Sequence, residues 1–261
     1  MTLIVLPAVV GTGSCRLMYD NLLEQGTVVA SSEDAGFPVE NCFDWNTADF
    51  FKPAATGTIT ITLTLGSAGT ANYLAFYNQD LYLNAGTIKL QYWDGSTWQD
   101  ATSAVAPDDN KPRCIFFDAK TSTQWRLVIS CTVIPALGVV SFGQYLAMPY
   151  GNYLNWSPPV LARSTKVTNN LSENGAFLGR SIRSLGVLTN LVLQYASDSW
   201  VRTYWLPFIK RAEQKPFFWA PNVADYPNEA MFAWTEGDIT PPTHTHYGFM
   251  GEEIQVRGLV E

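Results

Sequence analysis

Apolar and polar residues alternate without a break from Thr58 to Leu65. Ile59, Ile61, Leu63 and Leu65 fall on one side of an extended chain, and Thr58, Thr60, Thr62 and Thr64 on the other. A period of two marks a half-buried strand of an antiparallel sheet. Strand character recurs at residues 72–77, 87–93, 115–117, 124–130 and 139–148. The Ser67-Ala68-Gly69-Thr70 turn separates the first two strands, and the Asp94-Gly95 hairpin signal leads from Trp93 to Trp98. Six or more short strands between turn signals predict a β-sandwich for the first half. Residues 1–29 read as a lead-in arm, with a turn at Gly11–Ser14 before a short element over residues 16–24.

The pattern breaks at residues 148–159, where three prolines and one glycine interrupt any regular element. The predicted domains are therefore 1–149 and 150–261. In the second, residues 160–170 and 185–195 have strand character and are joined through the Asn174-Gly175 turn and residues 180–183. Ser197-Asp198-Ser199 is a helix N-cap cluster, and Trp200, Tyr204, Trp205 and Phe208 follow at roughly helical spacing. Pro207 predicts an end or a kink near Leu206. Residues 217–220, 230–234 and 253–259 read as strands.

Composition changes the picture in two ways. Only 15% of residues are charged, against about 25% in an average soluble domain, while 13% are aromatic. That balance suits surfaces buried in an assembly, and it suits equally a β-rich domain whose strands favour aromatics. The net charge is −7, with 7 Lys/Arg against 13 Asp/Glu in residues 1–149 and 9 against 10 in residues 150–261. No basic stripe is present to neutralise phosphates, which argues against nucleic-acid binding. The apolar start has no preceding positive charge and is interrupted by Pro7, a poor signal peptide. No apolar run approaches the ~20 residues of a membrane span, so membrane insertion is not expected and the chain is expected to fold in the cytoplasm.

Two resemblances follow from particular residues. Ala30-Ser31-Ser32, then Pro38-Val39-Glu40-Asn41, then Asp44-Trp45-Asn46-Thr47, ahead of the Thr58–Leu65 strand, is similar to the opening of discoidin-like (galactose-binding-like) domains. Residues 124–129 resemble the late core strand of that family, and residues 139–143 its closing strand. The second half resembles tail and baseplate structural proteins of long-tailed bacteriophages. The residues that carry this are Asn174-Gly175 with Gly179-Arg180-Ser181, the aromatic helix, Lys215–Pro221, Pro227–Trp234 and the ending Gln255–Leu259. The expected fold is mainly β: an N-terminal discoidin-like β-sandwich plus a C-terminal β-rich tail-ring domain with one helix.

The phage resemblance implies a structural subunit of a tail tip or baseplate, like a distal tail ring. Such a subunit links the tail tube to the hub and receptor-binding parts. Its partners would be copies of itself, tail-tube and hub proteins, and its place the virion tail, assembled in the host cytoplasm. The alternative is a carbohydrate-binding adhesin or minor tail protein that contacts host surface glycans. Phe217, Phe218, Trp219, Phe232 and Trp234 are the candidate assembly residues.

Candidate chemistry is sparse. The Asp44–Asp49 loop, with Glu40 upstream, crowds hard oxygen ligands, and Asp44, Asn46 and Asp49 are candidates for a structural Ca²⁺. The resemblance to discoidin-like domains points the same way. The same residue types also cap turns without metal. His244 and His246 are the only histidines; on an extended segment both imidazoles would face one way and share a metal. Trp45, Phe50, Trp93 and Trp98 offer apolar faces that fit a sugar ring, a protein partner or the core. Cys15, Cys42, Cys114 and Cys131 lack metal-ligand spacing and read as buried small hydrophobes. No Gly-x-Ser-x-Gly or phosphate-binding loop is present, and the acidic pairs Asp108-Asp109 and Glu252-Glu253 point to opposite faces of a strand. The expectation is no enzyme and no other cofactor.

Overall fold

A computed structural model describes residues 15–260. The predicted arm up to Ser14 lies outside the described residues. The first strands are β1 (Arg16–Met18), β2 (Gly26–Ala30), β3 (Gly57–Gln79), β4 (Thr87–Trp93), β5 (Trp98–Asp100), β6 (Arg113–Cys131), β7 (Leu137–Gly143) and β8 (Leu146–Ala147). They are followed by β9 (Arg163–Leu171), β10 (Phe177–Ser197), β11 (Phe217–Ala220), β12 (Met231–Thr235), β13 (Thr243–His246) and β14 (Phe249–Leu259). One helix, α1, covers residues 198–212 between β10 and β11. The chain divides into two compact units. Arg16–Leu146 with Lys215–Trp219 form the first, and Ala147–Gln214 with Ala220–Val260 the second.

The first unit is an antiparallel β-sandwich built on the order β2-β3-β6-β4-β5, with β7 also paired to β3. The alternation of residues 58–65 appears as expected: Ile59, Ile61, Leu63 and Leu65 are buried, whereas Thr58 and Thr64 are exposed and Thr60 and Thr62 half-buried. The register then stacks three rungs on the core face. Ile59 pairs with Ile129 and Ile129 with Ile88; Ile61 with Leu127 and Leu127 with Leu90; Leu63 with Trp125 and Trp125 with Tyr92. Phe142 and Val140 of the wholly buried β7 close this core. Tyr73 is buried with them and satisfies its hydroxyl on Ser141 Oγ at 2.8 Å and on the Asp20 carbonyl at 2.9 Å.

Two elements differ from the sequence expectation. Residues 58–65 and 72–77 belong to one strand, β3, and residues 115–117 and 124–130 to one strand, β6. The Ser67–Thr70 segment does not turn the chain back. The β3–β6 ladder absorbs it as register shifts between Thr64 and Gly69 and between Ala71 and Tyr73. A bulge bends a strand without ending it, so local turn residues do not by themselves mark a strand end.

In the second unit β14 lies between β12 and β10, β9 flanks β10, and β13 adds to β14. β10 is 21 residues long; its second half pairs with β14 and its first half with β9 alone. Ser197 caps α1 by accepting the Trp200 N–H. The helix does not stop at Leu206. A π turn over Val201–Trp205 precedes an α segment, Leu206–Ala212, whose first turn holds Pro207. There a missing N–H costs little, and the helix continues. Trp205 and Phe208 are buried on its inner side, with ring centroids 5.0 Å apart.

Candidate functional site

The outer face of the first unit's sheet carries a polar and aromatic cluster. Each residue owes its place to the alternation that buries its neighbours. Ile88, Leu90 and Tyr92 point inward, so Lys89, Gln91 and Trp93 point outward. On β6, Trp125 and Leu127 point inward and Arg126 outward, directly opposite Gln91. On β5, Trp98 sits opposite Trp93, and Asp100 opposite Gln91.

The side chains form one network. Arg126 Nε donates to Gln91 Oε1 at 2.6 Å, and Gln91 Nε2 donates to Asp100 Oδ1 at 2.5 Å. Lys89 Nζ lies 2.9 Å from Asp100 Oδ1. The hydrogen bonds from Lys89 and Gln91 hold the Asp100 carboxyl below its ordinary range, so it is ionised at neutral pH. The Arg126 guanidinium stacks 4.3 Å from the Trp98 ring centre, and Trp93 meets Trp98 edge-on at 5.4 Å. Both indoles stay half-exposed.

The hairpin that presents them is rigid. Asp94 Oδ1 accepts the backbone N–H groups of Ser96 and Thr97, each at 2.8 Å, and Gly95 takes the positive φ of 103° that the turn needs. The surface thus combines aromatic faces with fixed donors, Arg126 and Lys89, and a fixed acceptor, Asp100, all tied together by the buried Gln91. Trp93 and Trp98 were legible in sequence. Lys89, Gln91, Asp100 and Arg126 were missed, although the alternation of residues 87–93 already placed Lys89 and Gln91 on the face of Trp93.

The remaining sugar candidates behave differently. Trp45 is only 5% exposed; its indole N–H donates to Glu24 Oε1 and its ring packs on Phe218 at 6.1 Å. It is a core residue and presents no face to a sugar. Phe50 is half-buried. In the adjoining loop Asp44 Oδ1 accepts the Asn46 N–H at 2.8 Å, Asn46 Oδ1 accepts the Ala48 N–H at 2.9 Å, and Asn46 Nδ2 donates to Asp49 Oδ2 at 2.6 Å. The loop holds itself by these bonds, and among the described residues no cluster of three or more His, Cys, Asp or Glu is placed to hold a metal. A chelator tests the Ca²⁺ candidate: an ion held by Asp44, Asn46 and Asp49 in the native state would show as a drop in melting temperature when divalent ions are stripped, and an unchanged melting curve would reject it.

His244 lies opposite Met250 and His246 opposite Phe249, because the register shifts between the two histidines. Adjacent residues of β14 face opposite ways, so the shift removes the shared face that strict alternation would give. Phe217, Phe218, Trp219 and Phe232 are buried and not available to a partner; only Trp234 of the candidate assembly residues is half-exposed. Cys42, Cys114 and Cys131 carry free thiols, and burial pushes those of Cys42 and Cys114 well up, leaving them protonated. Cys15 Sγ lies 3.4 Å from Met148 Sδ.

The second unit buries a carboxyl in its sheet. Glu252 of β14 is buried and accepts the Trp205 indole N–H on Oε2 at 2.6 Å. Its Oε1 is buried without a hydrogen-bond partner. Burial raises this carboxyl to about 7, with the Trp205 hydrogen bond working in the opposite direction.

No protein-family model matches the chain, and no curated protein matches it. Solved structures match it over about half its length. CpGH89CBM32-5 from Clostridium perfringens, in complex with GalNAc-β-1,3-galactose, is 14% identical with a TM-score of 0.42, covering 48% of this chain and 100% of that one. Chitosan-binding module 1 from a chitosanase/glucanase of Paenibacillus sp. IK-5 is 24% identical with a TM-score of 0.40, covering 48% and 99%. The CBM32 of AlyQ, in complex with 4,5-unsaturated mannuronic acid, is 23% identical with a TM-score of 0.37, covering 48% and 96%. The ligands are properties of those proteins. What this chain itself shows is a mainly β protein with an N-terminal β-sandwich and a C-terminal β-rich unit carrying one helix.

Proposed function

We propose that this chain is a non-catalytic, carbohydrate-binding protein whose ligand lies on the outer face of β4, β5 and β6. The observation that supports it is the Trp93–Trp98 pair beside the Arg126–Gln91–Asp100–Lys89 network. Sugar rings present an apolar face rimmed by hydroxyls. An indole takes the face, and donors and acceptors held by one another take the hydroxyls without losing much freedom on binding. The test is a glycan array followed by calorimetry. Trp98→Ala and Arg126→Ala should each weaken binding at least about tenfold, or ~1.4 kcal/mol, with the fold retained. A chain that binds no glycan, or binds one undiminished in both variants, sinks the reading.

A second reading is a structural subunit of a long-tailed phage tail tip or baseplate. It is favoured by the residues of the second half quoted above and by a long apolar surface that the second unit leaves uncovered. Leu161 is 76% exposed, and Val167, Leu171, Phe177, Leu178 and Ile182 of β9 and β10 stand open to solvent. The two readings are compatible, since an adhesin can be built into a virion. Peptides of this chain in purified virions would support the second; their absence from tail fractions would reject it.

A further inference from the structure

β9 and the first half of β10 form a two-stranded ribbon that leaves the sheet. β14 stops pairing with β10 at Val187, and from there to Phe177 the only partner of β10 among the described residues is β9. None of the nine residues of β9 is buried. Such a ribbon is marginal in water when nothing packs against it.

Its two faces differ. Val167 pairs with Ile182, Asn169 with Arg180, and Leu171 with Phe177. Val167, Asn169 and Leu171 alternate along β9, so these three pairs share one face. That face is apolar at both ends, with Val167 39%, Ile182 59%, Leu171 60% and Phe177 62% exposed. Arg180 stands between the ends with its Nε on Asn169 Oδ1 at 2.9 Å. The opposite face carries Thr168, Asn170, Ser181 and Gly179, and Leu178, the extra residue at the bulge between Phe177 and Gly179, is 68% exposed. The tip is a formed turn: the Ser172 N–H donates to the Ala176 carbonyl at 2.9 Å, and Gly175 has φ 78°. A strand pair with one polar face and one uncovered apolar face centred on an arginine has the make-up of an interface core.

We propose that this ribbon docks through its apolar face onto a second copy of this chain, against the acidic remainder of that copy. Charge selects the occupant. Residues 163–186 hold four Lys/Arg and one Glu, while the rest of the chain holds 12 Lys/Arg and 22 Asp/Glu. The ribbon is therefore +3 on a remainder of −10. A basic ribbon meets an acidic neighbour favourably and repels another ribbon. Because the two surfaces differ, the contact is head-to-tail and closes into a ring or grows as a filament. The proposal deepens the second reading of the function and is independent of the first.

Sedimentation equilibrium of the full chain tests it, at a concentration where a micromolar contact is saturated. The wild type should sediment above the monomer mass. The double variant Phe177→Ser with Ile182→Ser should be monomeric, with an unchanged circular dichroism spectrum and melting temperature, because both side chains are exposed in the single chain. Arg180→Glu, and ~1 M salt, where the Debye length falls to ~3 Å, should each weaken association at least about tenfold. A wild type that stays monomeric overturns the proposal, as does an oligomer that survives the double substitution. A chain that associates through the ribbon yet is absent from virions would refute the tail role and leave the ribbon contact standing.

Discussion

Trp125→Ala is expected to cost the first unit about 3–5 kcal/mol, the range for emptying a well-packed aromatic site. Trp125 is fully buried at the third rung of the core, between Leu63 of β3 and Tyr92 of β4. Its ring lies 6.0 Å from that of Tyr92 and 5.8 Å from that of Phe142, so one residue ties β4, β6 and β7 together. Its N–H donates to the Ser122 carbonyl at 3.2 Å, and alanine would leave that carbonyl unsatisfied in addition to the void. Urea unfolding followed by far-ultraviolet circular dichroism measures the loss. A cost below ~1 kcal/mol would mean that the three rungs do not form the packed core described here. Leu63→Ala, on the same rung, is expected to cost ~2–5 kcal/mol by the same mechanism.

Stability of the second unit is expected to fall as pH rises from about 4.5 to about 7, with Glu252 as the cause. Its carboxyl is raised from 4.5 to about 7 by burial in the folded state. The folded chain therefore holds this proton more tightly than the unfolded chain. The resulting stabilisation is fully present below the unfolded pKa and is lost as pH rises through the folded one. The loss is at most roughly 3 kcal/mol, since a tenfold change in proton affinity is worth ~1.4 kcal/mol. Glu252→Gln keeps an oxygen acceptor for the Trp205 N–H and has no charge to bury, so it should flatten the profile and raise stability near pH 8. Unfolding curves at a series of pH values decide it. A wild-type profile that is flat between pH 5 and 8, or a glutamine variant that keeps the wild-type slope, would dismiss Glu252 as the source.

The legible and illegible parts of this protein separate by the range of the interaction that sets them. The alternation at Thr58–Leu65 predicted which side chains are buried because side-chain direction along a strand is a local property of the backbone. Asp94-Gly95 predicted the hairpin for a similar reason, and with it the meeting of Trp93 and Trp98. Strand ends were not legible. Ser67–Thr70 is a turn sequence, but β6 pairs along both sides of it and a register shift takes up the extra residues. Pro207 is a helix breaker in sequence, yet a π turn ahead of it places it where its missing N–H does little harm.

Aromatic clusters were the least legible. Phe217, Phe218, Trp219 and Phe232 have the composition of an interface and are buried within the chain, while the uncovered apolar surface lies on a ribbon of valine, leucine, isoleucine and phenylalanine mixed with polar residues. Composition states how much apolar surface exists and not where it ends up. The polar network of the candidate site shows the same limit. Lys89, Gln91, Asp100 and Arg126 come from three strands, and only the β4–β6 and β4–β5 registers bring them within hydrogen-bonding distance.

By itself, then, the sequence determined the β character, the inward and outward faces of residues 58–65, the Asp94-Gly95 and Asn174-Gly175 turns and the start of the helix, all of which depend on residues within a few positions of one another. The tertiary structure alone decided which strands continue through a bulge, which aromatics are core, which outward side chains converge on Trp98, and which ribbon is left uncovered. Those outcomes depend on the register between segments tens of residues apart, and register is set by how whole faces fit together rather than by any short stretch of chain.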